Sequence, residues 1–315
     1  LKPYVLWLES RNAGKALSLD TRIPTPYGDK TMKDIEVGDY VYAIDGSPTK
    51  VIYTSPIFKN HKCYEVEFED GEKIVCDEDH LWYVQTKNYR NRISYIPKTN
   101  RKRANFDSLD EYGYKTLKIT DIIKDYKKSV VKHGKRYVEY KYRVPIANAL
   151  YKDEVNLPLH PYLLGVWLGD GHSSSVRITC DDKDINEICS YVEQTGHTTK
   201  IYKNKNRCSS IGVDIGIKGK ENVFMKSLRE LNLINNKHIP EIYLNSSIGQ
   251  RMELLRGLMD TDGSCDLNGR CEFTQKSYDF IMQFSKLLTS LSIRHSVSER
   301  NTKCNGKVCK SYRVY

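Results

Sequence analysis

The length, charge and hydropathy of the chain limit its class before any motif is considered. It has 315 residues, which favours two domains, and 50 Lys and Arg against 40 Asp and Glu give a net charge of +10. The longest apolar run, from Leu163 to Gly169, is far shorter than the roughly 18 residues of a membrane-spanning helix, and the N-terminus lacks a signal-peptide pattern. We expect a cytoplasmic protein with no membrane partner, whose nine cysteines are thiols and not zinc ligands.

The first fifteen residues do not continue into the segment after them. Residues 3–9 have the composition of a buried strand, and the turn after them ends in Gly14-Lys15, as a phosphate-binding loop does. Such a loop continues with Ser or Thr and opens a helix, whereas Ala16 begins a segment punctuated by Pro and Gly. These residues are either a phosphate loop that breaks off in mid-motif or an ordinary glycine turn.

Residues 16–86 have the pattern of an all-β domain. Alternating residues flank two predicted hairpin turns, Asp45-Gly46 and Asp70-Gly71. The segment resembles the N-terminal half of an intein splicing domain: it contains ALSLDTRIPTPYGDKTMKDIEVGDYV, similar to the first intein motif, and GEKIVCDEDHLWYV, similar to the motif of the splicing histidine, here His80. The resemblance implies that residues 1–15 end the upstream host segment, with the splice junction at Lys15–Ala16. It also implies a phage-encoded element in a bacterial cell, inserted in a nucleotide-binding protein such as a terminase large subunit.

The splicing residues depart from the common intein pattern. Most inteins begin with Cys or Ser, and Ala16 has no nucleophile. A variant class begins without one and has Asp-x-x-His followed by Leu-Trp, which Asp77, His80 and Trp82 match. In that class an internal cysteine attacks the upstream bond, and His80 would donate a hydrogen bond or proton at the scissile amide. From the residues alone, the alternatives are a structural strand-end histidine for His80 and a core residue for Trp82.

The resemblance also predicts segments beyond Tyr315. The family has an attacking Cys, a Thr and a terminal His-Asn pair there, so we expect this chain to be a fragment that does not splice by itself and needs no cofactor for splicing. Cys304 and Cys309 lie in the internal repeat of the second half of the chain, so we do not expect either to be this nucleophile.

A basic segment comes after the all-β pattern. Residues 87–106 hold seven Lys and Arg and no acidic residue, interleaved with Tyr and Asn. Such a segment could neutralise DNA phosphates, or it could be a solvated loop. The candidate phosphate contacts are Lys87, Arg90, Arg92, Arg101, Lys102 and Arg103. The Lys- and Tyr-rich residues 112–143 after it are predicted to form a strand and a short-helix connection.

An internal repeat dominates the second half of the chain. The segment LLGVWLGDG at 163–171 recurs as LRGLMDTDG at 255–263, and residues 177–197 align without gaps to residues 272–292. In each copy a strand-like and a helix-like segment come after the motif. Two copies of one unit predict a pseudo-twofold pair within one chain.

The repeated residues suggest a metal site. Gly165 and Gly257 fall inside predicted helices, where glycine costs about 1 kcal/mol relative to alanine, so we expect the two helices to approach closely there. Asp170 and Asp262 end these helices, each before a glycine suited to chain reversal. Crossed helices would bring the carboxylates together as ligands for Mg²⁺ and, through it, for a phosphodiester. The alternative for each aspartate is an exposed helix cap.

The repeat resembles the LAGLIDADG homing endonucleases. The second copy shares six of the nine motif letters and the first shares four, with Leu168 at the family's structural Asp position. The resemblance implies sequence-specific, Mg²⁺-dependent double-strand cleavage of DNA, with β-sheets reading the duplex. Five segments are candidate DNA-reading strands, at 172–179, 198–205, 208–215, 270–274 and 294–301. A basic residue often assists this chemistry, and Lys183, Lys203 and Lys276 are candidates.

Together these resemblances predict the organisation and function. The fold class is an all-β Hint-type splicing domain plus an α+β LAGLIDADG domain with two pseudo-twofold αββαββ-type repeats. The expected boundaries are 1–15 for the host flank, 16–86 for the splicing part, 87–156 for a basic linker, and 157–247 and 248–315 for the repeats. The expected function is a monomeric, intein-encoded endonuclease whose partners are double-stranded DNA and the host protein in cis. The alternatives are a free-standing or degenerate LAGLIDADG DNA-binding protein without splicing, and the host terminase itself.

Overall fold

The computed structural model describes residues 16–69, 72–90, 113–203, 208–214, 222–304 and 307–315, without the side chains of 302–308. It divides into two compact units between Asn148 and Ala149. The predicted strand at 3–9, Lys15 and the Asp70-Gly71 turn lie outside the described residues. Among the helices that are described, none is long and apolar enough to cross a membrane.

The first unit consists of antiparallel strands. Three hairpins come first: β1 (Arg22–Thr25) with β2 (Gly28–Thr31), β3 (Tyr40–Tyr42) with β4 (Pro48–Lys50), and β5 (Cys63–Glu67) with β6 (Lys73–Asp77). In the next sheet β7 (Leu81–Thr86) lies between β8 (Tyr114–Lys118) and β11 (Tyr142–Arg143), with helix α1 (Ile119–Ile123) after β8. A separate hairpin pairs β9 (Lys127–Lys132) with β10 (Lys135–Tyr140).

Local sequence explains the early hairpins. Gly46 adopts a φ of +83° between β3 and β4, a conformation that glycine reaches without a steric penalty, so the predicted hairpin at this turn is confirmed. The predicted pairing of β5 with β6 is also confirmed. Two small apolar clusters support these strands, one around Ile23, Val41 and Val51 and one around Trp82.

The second unit is α+β and contains two copies of a helix, sheet and helix arrangement. The first copy has α2 (Pro161–Asp170), β12 (Arg177–Asp181), α3 (Ile185–Gln194), β13 (Thr199–Tyr202) and β14 (Cys208–Val213). Between the copies lie α4 (Val223–Glu230) and α5 (Glu241–Leu244). The second copy has α6 (Ile248–Asp262), β15 (Gly263–Cys265), β16 (Cys271–Gln275), α7 (Tyr278–Ser290), β17 (Val297–Cys304) and β18 (Lys307–Val314). The strand orders are β12-β14-β13 and β15-β16-β18-β17, so the predicted repeat is confirmed at the level of its elements.

Capping side chains and burial fix the two repeat helices. Pro161 lies in the first turn of α2, and the His160 ring accepts a hydrogen bond from the Tyr162 amide. Ser247 and Gln250 form a reciprocal capping box at the start of α6. Every residue of α2 up to Leu168 is buried, which is expected of a helix covered on all sides by the rest of its unit.

Two sequence-based expectations are wrong. Gly171 and Gly263 do not reverse the chain in a left-handed conformation, since their φ angles are −69° and −89°. They are needed for space, because a Cβ would lie 2.3 Å from the Trp167 carbonyl oxygen at Gly171 and 2.4 Å from the Met259 carbonyl oxygen at Gly263. The cysteines are also not all thiols.

The correction concerns one pair in the β15–β16 hairpin. Cys265 and Cys271 are joined by a disulfide. They are direct cross-strand partners, with Cα atoms 4.2 Å apart, so the register of the hairpin brings their sulfur atoms together. The spacing of the nine cysteines along the sequence could not reveal this register.

Candidate active site

The two repeat helices contact each other through glycine. A Cβ on Gly165 would lie 2.5 Å from the Leu254 carbonyl oxygen, and a Cβ on Gly257 would lie 2.2 Å from the Tyr162 carbonyl oxygen. The same close approach recurs one turn later, where a Cβ on Gly169 would lie 2.0 Å from the Thr261 hydroxyl. Gly165 and Gly257, and likewise Gly169 and Thr261, occupy equivalent positions of the two motifs, so the contact has the expected pseudo-twofold relation.

This packing brings the two motif aspartates to one place. Asp170 ends α2 and Asp262 ends α6. A Cβ on Gly169, the neighbour of Asp170, would lie 3.5 Å from Oδ2 of Asp262. Gln275, on β16, donates a hydrogen bond to that same oxygen. The carboxylates are therefore together, and one of them is held by a side chain of the adjoining sheet.

Burial acts on both aspartates, and repulsion from Asp170 acts on Asp262 as well. Burial raises the pKa of Asp170 above its ordinary value, and Lys237 opposes that rise. Burial also raises the pKa of Asp262, with a further increase from the Asp170 charge and opposing contributions from Gln275 and Lys237. Two desolvated like charges destabilise each other, and a bound cation would relieve this repulsion.

Lys237 is the basic residue that sequence reasoning missed. It lies between α4 and α5, and its Nζ donates to the carbonyl oxygens of Gly169 at 3.0 Å and Gly171 at 2.6 Å. The ammonium also lies 5.2 Å from the centre of the Trp167 ring. Burial lowers the pKa of Lys237, while Asp262 and Asp170 raise it.

The three basic candidates chosen from sequence do not occupy this position. Lys183, Lys203 and Lys276 are exposed, and none of them contributes to the pKa shifts of the two aspartates. The dipeptide Lys237-His238, which lies between α4 and α5, carries no local sequence pattern that marks it. Only the return of the chain to the end of α2 brings Lys237 to the carboxylates.

The splicing candidates of the first unit also come together. The amide of Asp77 donates to the carbonyl oxygen of Ala16 at 3.1 Å, and Leu17 forms a β-bridge with Cys76. His80 comes after Asp77 in a turn, with its amide 3.3 Å from the Asp77 carbonyl oxygen. Ala16, which follows the predicted splice junction, is thus held beside the end of β6, three residues before His80.

His80 and Trp82 line a cleft next to this contact. The cleft has a volume of about 320 Å³, and Leu17 and Ser18 form part of its wall. The His80 and Trp82 rings meet edge to face, with centroids 5.1 Å apart. Trp82 is 8% exposed and belongs to a core cluster with Cys76, so it both packs the core and borders the cleft.

Asp77 is a buried carboxylate in this region. It is 4% exposed, and its Oδ2 lies 3.5 Å from Nδ1 of His61. Burial raises the pKa of the neighbouring Cys76 thiol to about 11, which keeps that sulfur protonated and unreactive at neutral pH.

The basic segment is described only at its start. Lys87 pairs with Glu139 at 2.5 Å, and Arg90 donates to the Gln85 carbonyl oxygen at 3.0 Å. Both side chains are thus engaged within the first unit. Arg92, Arg101, Lys102 and Arg103 lie outside the described residues.

Comparison with known proteins matches both halves of the chain. The family of LAGLIDADG-like domains matches residues 249–315. A replicative DNA helicase DnaB of Mycobacterium intracellulare is 32% identical over 92% of this chain, and the chain spans 45% of the length of that relative. Residues 249–315 therefore match a LAGLIDADG-like domain, and most of the chain is similar to about half of a DnaB helicase.

Two solved structures are similar to portions of the chain. A crystal structure of the MchDnaB-1 intein is 45% identical over 23% of this chain and 55% of its own, with a TM-score of 0.22. Mesophilic variants of the homing endonuclease I-DmoI are 16% identical over 50% of this chain and 87% of their own, with a TM-score of 0.35. The predicted fold class is confirmed in its architecture: an all-β part comes first, and an α+β part with two repeats, which contains the LAGLIDADG-like match, comes second.

Proposed function

We propose that the second unit is a DNA endonuclease that hydrolyses phosphodiester bonds with a divalent cation, Mg²⁺ in the cell. The observation that carries this proposal is the meeting of Asp170 and Asp262 at the ends of two helices packed through glycine. No group of three His, Cys, Asp or Glu side chains suited to a metal comes together among the described residues. Two carboxylates are nevertheless a suitable set, because Mg²⁺ commonly takes one or two carboxylates, with waters and phosphate oxygens as its other ligands.

Each side chain of the site has a distinct role in this proposal. Asp170 and Asp262 would hold the cation, which would supply charge neutralisation at the phosphate and lower the pKa of a water. Gln275 fixes one oxygen of Asp262, so the carboxylate keeps a single orientation. Lys237 is held by two carbonyl oxygens of the α2 terminus and places a positive charge beside the carboxylates, where an additional negative charge develops during hydrolysis.

Cleavage of the uninterrupted host gene tests this proposal. We expect double-strand cutting in Mg²⁺, none in EDTA, and none with Asp170→Asn or Asp262→Asn. Glu253→Gln is the matched control, because Glu253 lies on the same helix as Asp262 with a side chain that is 40% exposed. Cutting that persists in both aspartate variants would refute the assignment of the site. A chain that binds DNA without cutting would instead support the degenerate DNA-binding alternative.

We also propose that the first unit is an autocatalytic splicing element. The supporting observation is the contact between Ala16 and Asp77 beside the cleft lined by His80 and Trp82. There, His80 would donate to the amide of the Lys15–Ala16 bond while a nucleophile attacks its carbonyl carbon. Mass spectrometry of the full-length gene product tests it: we expect a ligated host from which the insert beginning at Ala16 has been removed, and no ligation with His80→Ala. The control is His133→Asn, an exposed turn position.

The host and partners are part of the same proposal. The similarity to DnaB favours a replicative helicase as the host over the phage terminase predicted from the sequence. We propose double-stranded DNA and this host in cis as partners, the bacterial cytoplasm as the location, and a monomeric endonuclease, because one chain supplies both aspartates.

A further inference from the structure

The β9–β10 hairpin of the first unit is a basic ribbon that the sequence analysis did not anticipate. Its two strands pair over their whole length, from Lys135 opposite Lys132 to Tyr140 opposite Lys127. His133 and Gly134 form the turn, with φ of +50° and +74°, as a tight two-residue hairpin turn requires. Every residue from 127 to 138 is exposed except Val130, which is half-buried, so the ribbon is open to solvent on both faces.

The ribbon is firmly attached at its base. Glu139 pairs with Lys87 at 2.5 Å and with Lys132 at 2.9 Å, and these two cations lower the pKa of Glu139 to about 2. Lys141 donates from its amide to the Tyr126 carbonyl oxygen at 2.7 Å, and its ammonium pairs with Asp125. An isolated two-stranded hairpin is only marginally stable in water, and these contacts anchor the base of this one.

The charge of the ribbon is not balanced within the unit. Residues 127–143 contain seven Lys and Arg and one acidic residue, Glu139. Among the carboxylates of the described residues, none lies within ion-pair distance of Lys128, Lys135 or Arg136. Lys132 and Lys135 even stand directly opposite each other, which destabilises an antiparallel pair. Glu139 offsets the charge of Lys132, whereas Lys128, Lys135 and Arg136 have no such carboxylate in the described part of the chain and would be neutralised by an anionic partner.

The exposed surface between the cations is apolar. Val131, Val138 and Tyr140 share one face with Arg136, and they are 66%, 57% and 63% exposed. This combination suits a partner that offers regularly spaced anions together with apolar sugar and base edges. Duplex DNA does so, and its major groove, about 12 Å wide, admits a two-stranded ribbon.

We propose that the β9–β10 hairpin is a second DNA-binding element, which contacts duplex phosphates through Lys128, Lys135 and Arg136. It rests on the proposed function in that DNA is the partner, but it concerns a different unit from the carboxylates. Lys128 and Lys135 point to one face of the ribbon and Arg136 to the other, so the cations reach phosphates on both sides of a groove. Such contacts strengthen and orient binding without reading sequence.

Equilibrium binding of the full chain to a mixed-sequence duplex of about 30 base pairs tests the proposal. Fluorescence anisotropy is recorded in EDTA, from about 50 to 200 mM KCl, for the wild type and for a chain with Lys128→Gln, Lys135→Gln and Arg136→Gln. We expect the slope of log K against log salt to become shallower by about 2.7, or 0.9 for each lost phosphate contact. A chain with Lys33→Gln, Lys50→Gln and Lys59→Gln loses the same charge at exposed positions outside the ribbon and should keep the wild-type slope.

A second measurement requires no substitution. Acetylation of lysines in the wild-type chain should be slowed by the duplex at Lys128 and Lys135 and unchanged at Lys59. Equal slopes for the two triple variants, or no protection at the ribbon, would overturn the proposal. The proposal would also be overturned if the three ribbon substitutions lowered the affinity for single-stranded RNA more than the affinity for the duplex.

Different measurements test the DNA-binding role of the ribbon and the endonuclease assignment, so either hypothesis can be refuted without the other. The binding assay contains no divalent cation, so a chain that cannot cut DNA still reports on the ribbon. Conversely, Asp262→Asn should abolish cutting and leave the salt slope at its wild-type value.

Discussion

The backbones of Gly165 and Gly257 are in direct contact, since a Cβ on Gly257 would lie 3.1 Å from the Cα of Gly165. Any side chain at either position would separate α2 from α6. The aspartates at the ends of these helices depend on that contact, because their separation is set by how closely the helices approach. The two glycines thus act on the carboxylate site from more than one helical turn away.

Substitution of Gly257 by alanine should destabilise the second unit severely. The added Cβ would lie 2.2 Å from the Tyr162 carbonyl oxygen, so backbone atoms must move, and we expect a loss of about 3 kcal/mol or more in the free energy of unfolding. Gly249→Ala is the control on the same helix, since the nearest atom to its Cβ lies at 4.0 Å. That control should be neutral or gain up to about 1 kcal/mol. Urea denaturation compares the two, and similar losses for both would contradict close glycine packing.

In the absence of metal, removal of the Asp262 charge should stabilise the folded chain. Burial and repulsion raise the pKa of Asp262 in the folded state above its value in the unfolded state. The protonated group therefore favours the folded state at low pH. This contribution to stability is lost as the pH rises from the unfolded-state pKa through the folded-state pKa. At neutral pH, Asp262→Asn should therefore raise the melting temperature in EDTA, by roughly 2–4 °C for each 1 kcal/mol relieved.

Addition of Mg²⁺ should reduce or reverse the difference in melting temperature between the wild type and Asp262→Asn. Mg²⁺ should raise the melting temperature of the wild type and leave that of Asp262→Asn unchanged, because only the wild type binds the ion at this site. The Glu253→Gln variant, altered at a half-buried carboxylate of the same helix, should behave as the wild type does in both solutions. A lower melting temperature for Asp262→Asn in EDTA would show that its carboxylate is not under repulsive strain.

Substitution of Lys237 by methionine should impair cleavage more than binding. The change keeps the length of the buried stem and removes a cation that opposes the raised pKa of both aspartates. We expect the cleavage rate to fall by about 10²–10³-fold, with duplex affinity within about twofold of the wild type. The acidic limb of the pH–rate profile should move to higher pH, which a purely structural defect would not cause. Lys226→Met, on the exposed side of α4, is the control.

The Glu139 carboxyl should titrate far below an ordinary glutamate. Lys87 and Lys132 lower its pKa from 4.5 to about 2, so these ion pairs stabilise the folded chain above about pH 4.5 and are lost as pH falls towards 2. NMR titration of the side chain measures this pKa directly. Lys87→Met should raise the pKa towards 4.5, by more than Lys132→Met does, because the hydrogen bond from Lys87 is the larger cause. An unchanged pKa in both variants would mean that neither cation contacts Glu139 in solution.

Peptide mapping should find Cys265 linked to Cys271 when the chain is purified without reductant. Their cross-strand register places the Cα atoms 4.2 Å apart and brings the two sulfur atoms together in the disulfide. Alkylation under the same conditions should label the exposed Cys63, whereas the buried Cys76, with its pKa raised to about 11, should react much more slowly. Full labelling of Cys265 and Cys271 would show that they are thiols, as the sequence suggested.

Local sequence was sufficient where the signal was local. The Asp45-Gly46 turn predicted the β3–β4 hairpin, because a positive φ at glycine acts within four residues. The β9–β10 hairpin was missed, although His133-Gly134 offered the same kind of turn, because its strands lack the clean alternation of a half-buried pair. The glycines after the two aspartates were assigned to turns, whereas their cause is contact with the preceding helical turn.

The sequence by itself determined the repeat, the two motif helices and the aspartates that end them, because periodicity and repetition are properties of the order of residues. Only the tertiary structure decided which groups share a site. Lys237 reaches the carboxylates, Cys265 faces Cys271, and Asp77 holds Ala16, in each case through a chain path or strand register. These are distances between segments that folding brings together, and packing of the whole unit sets them.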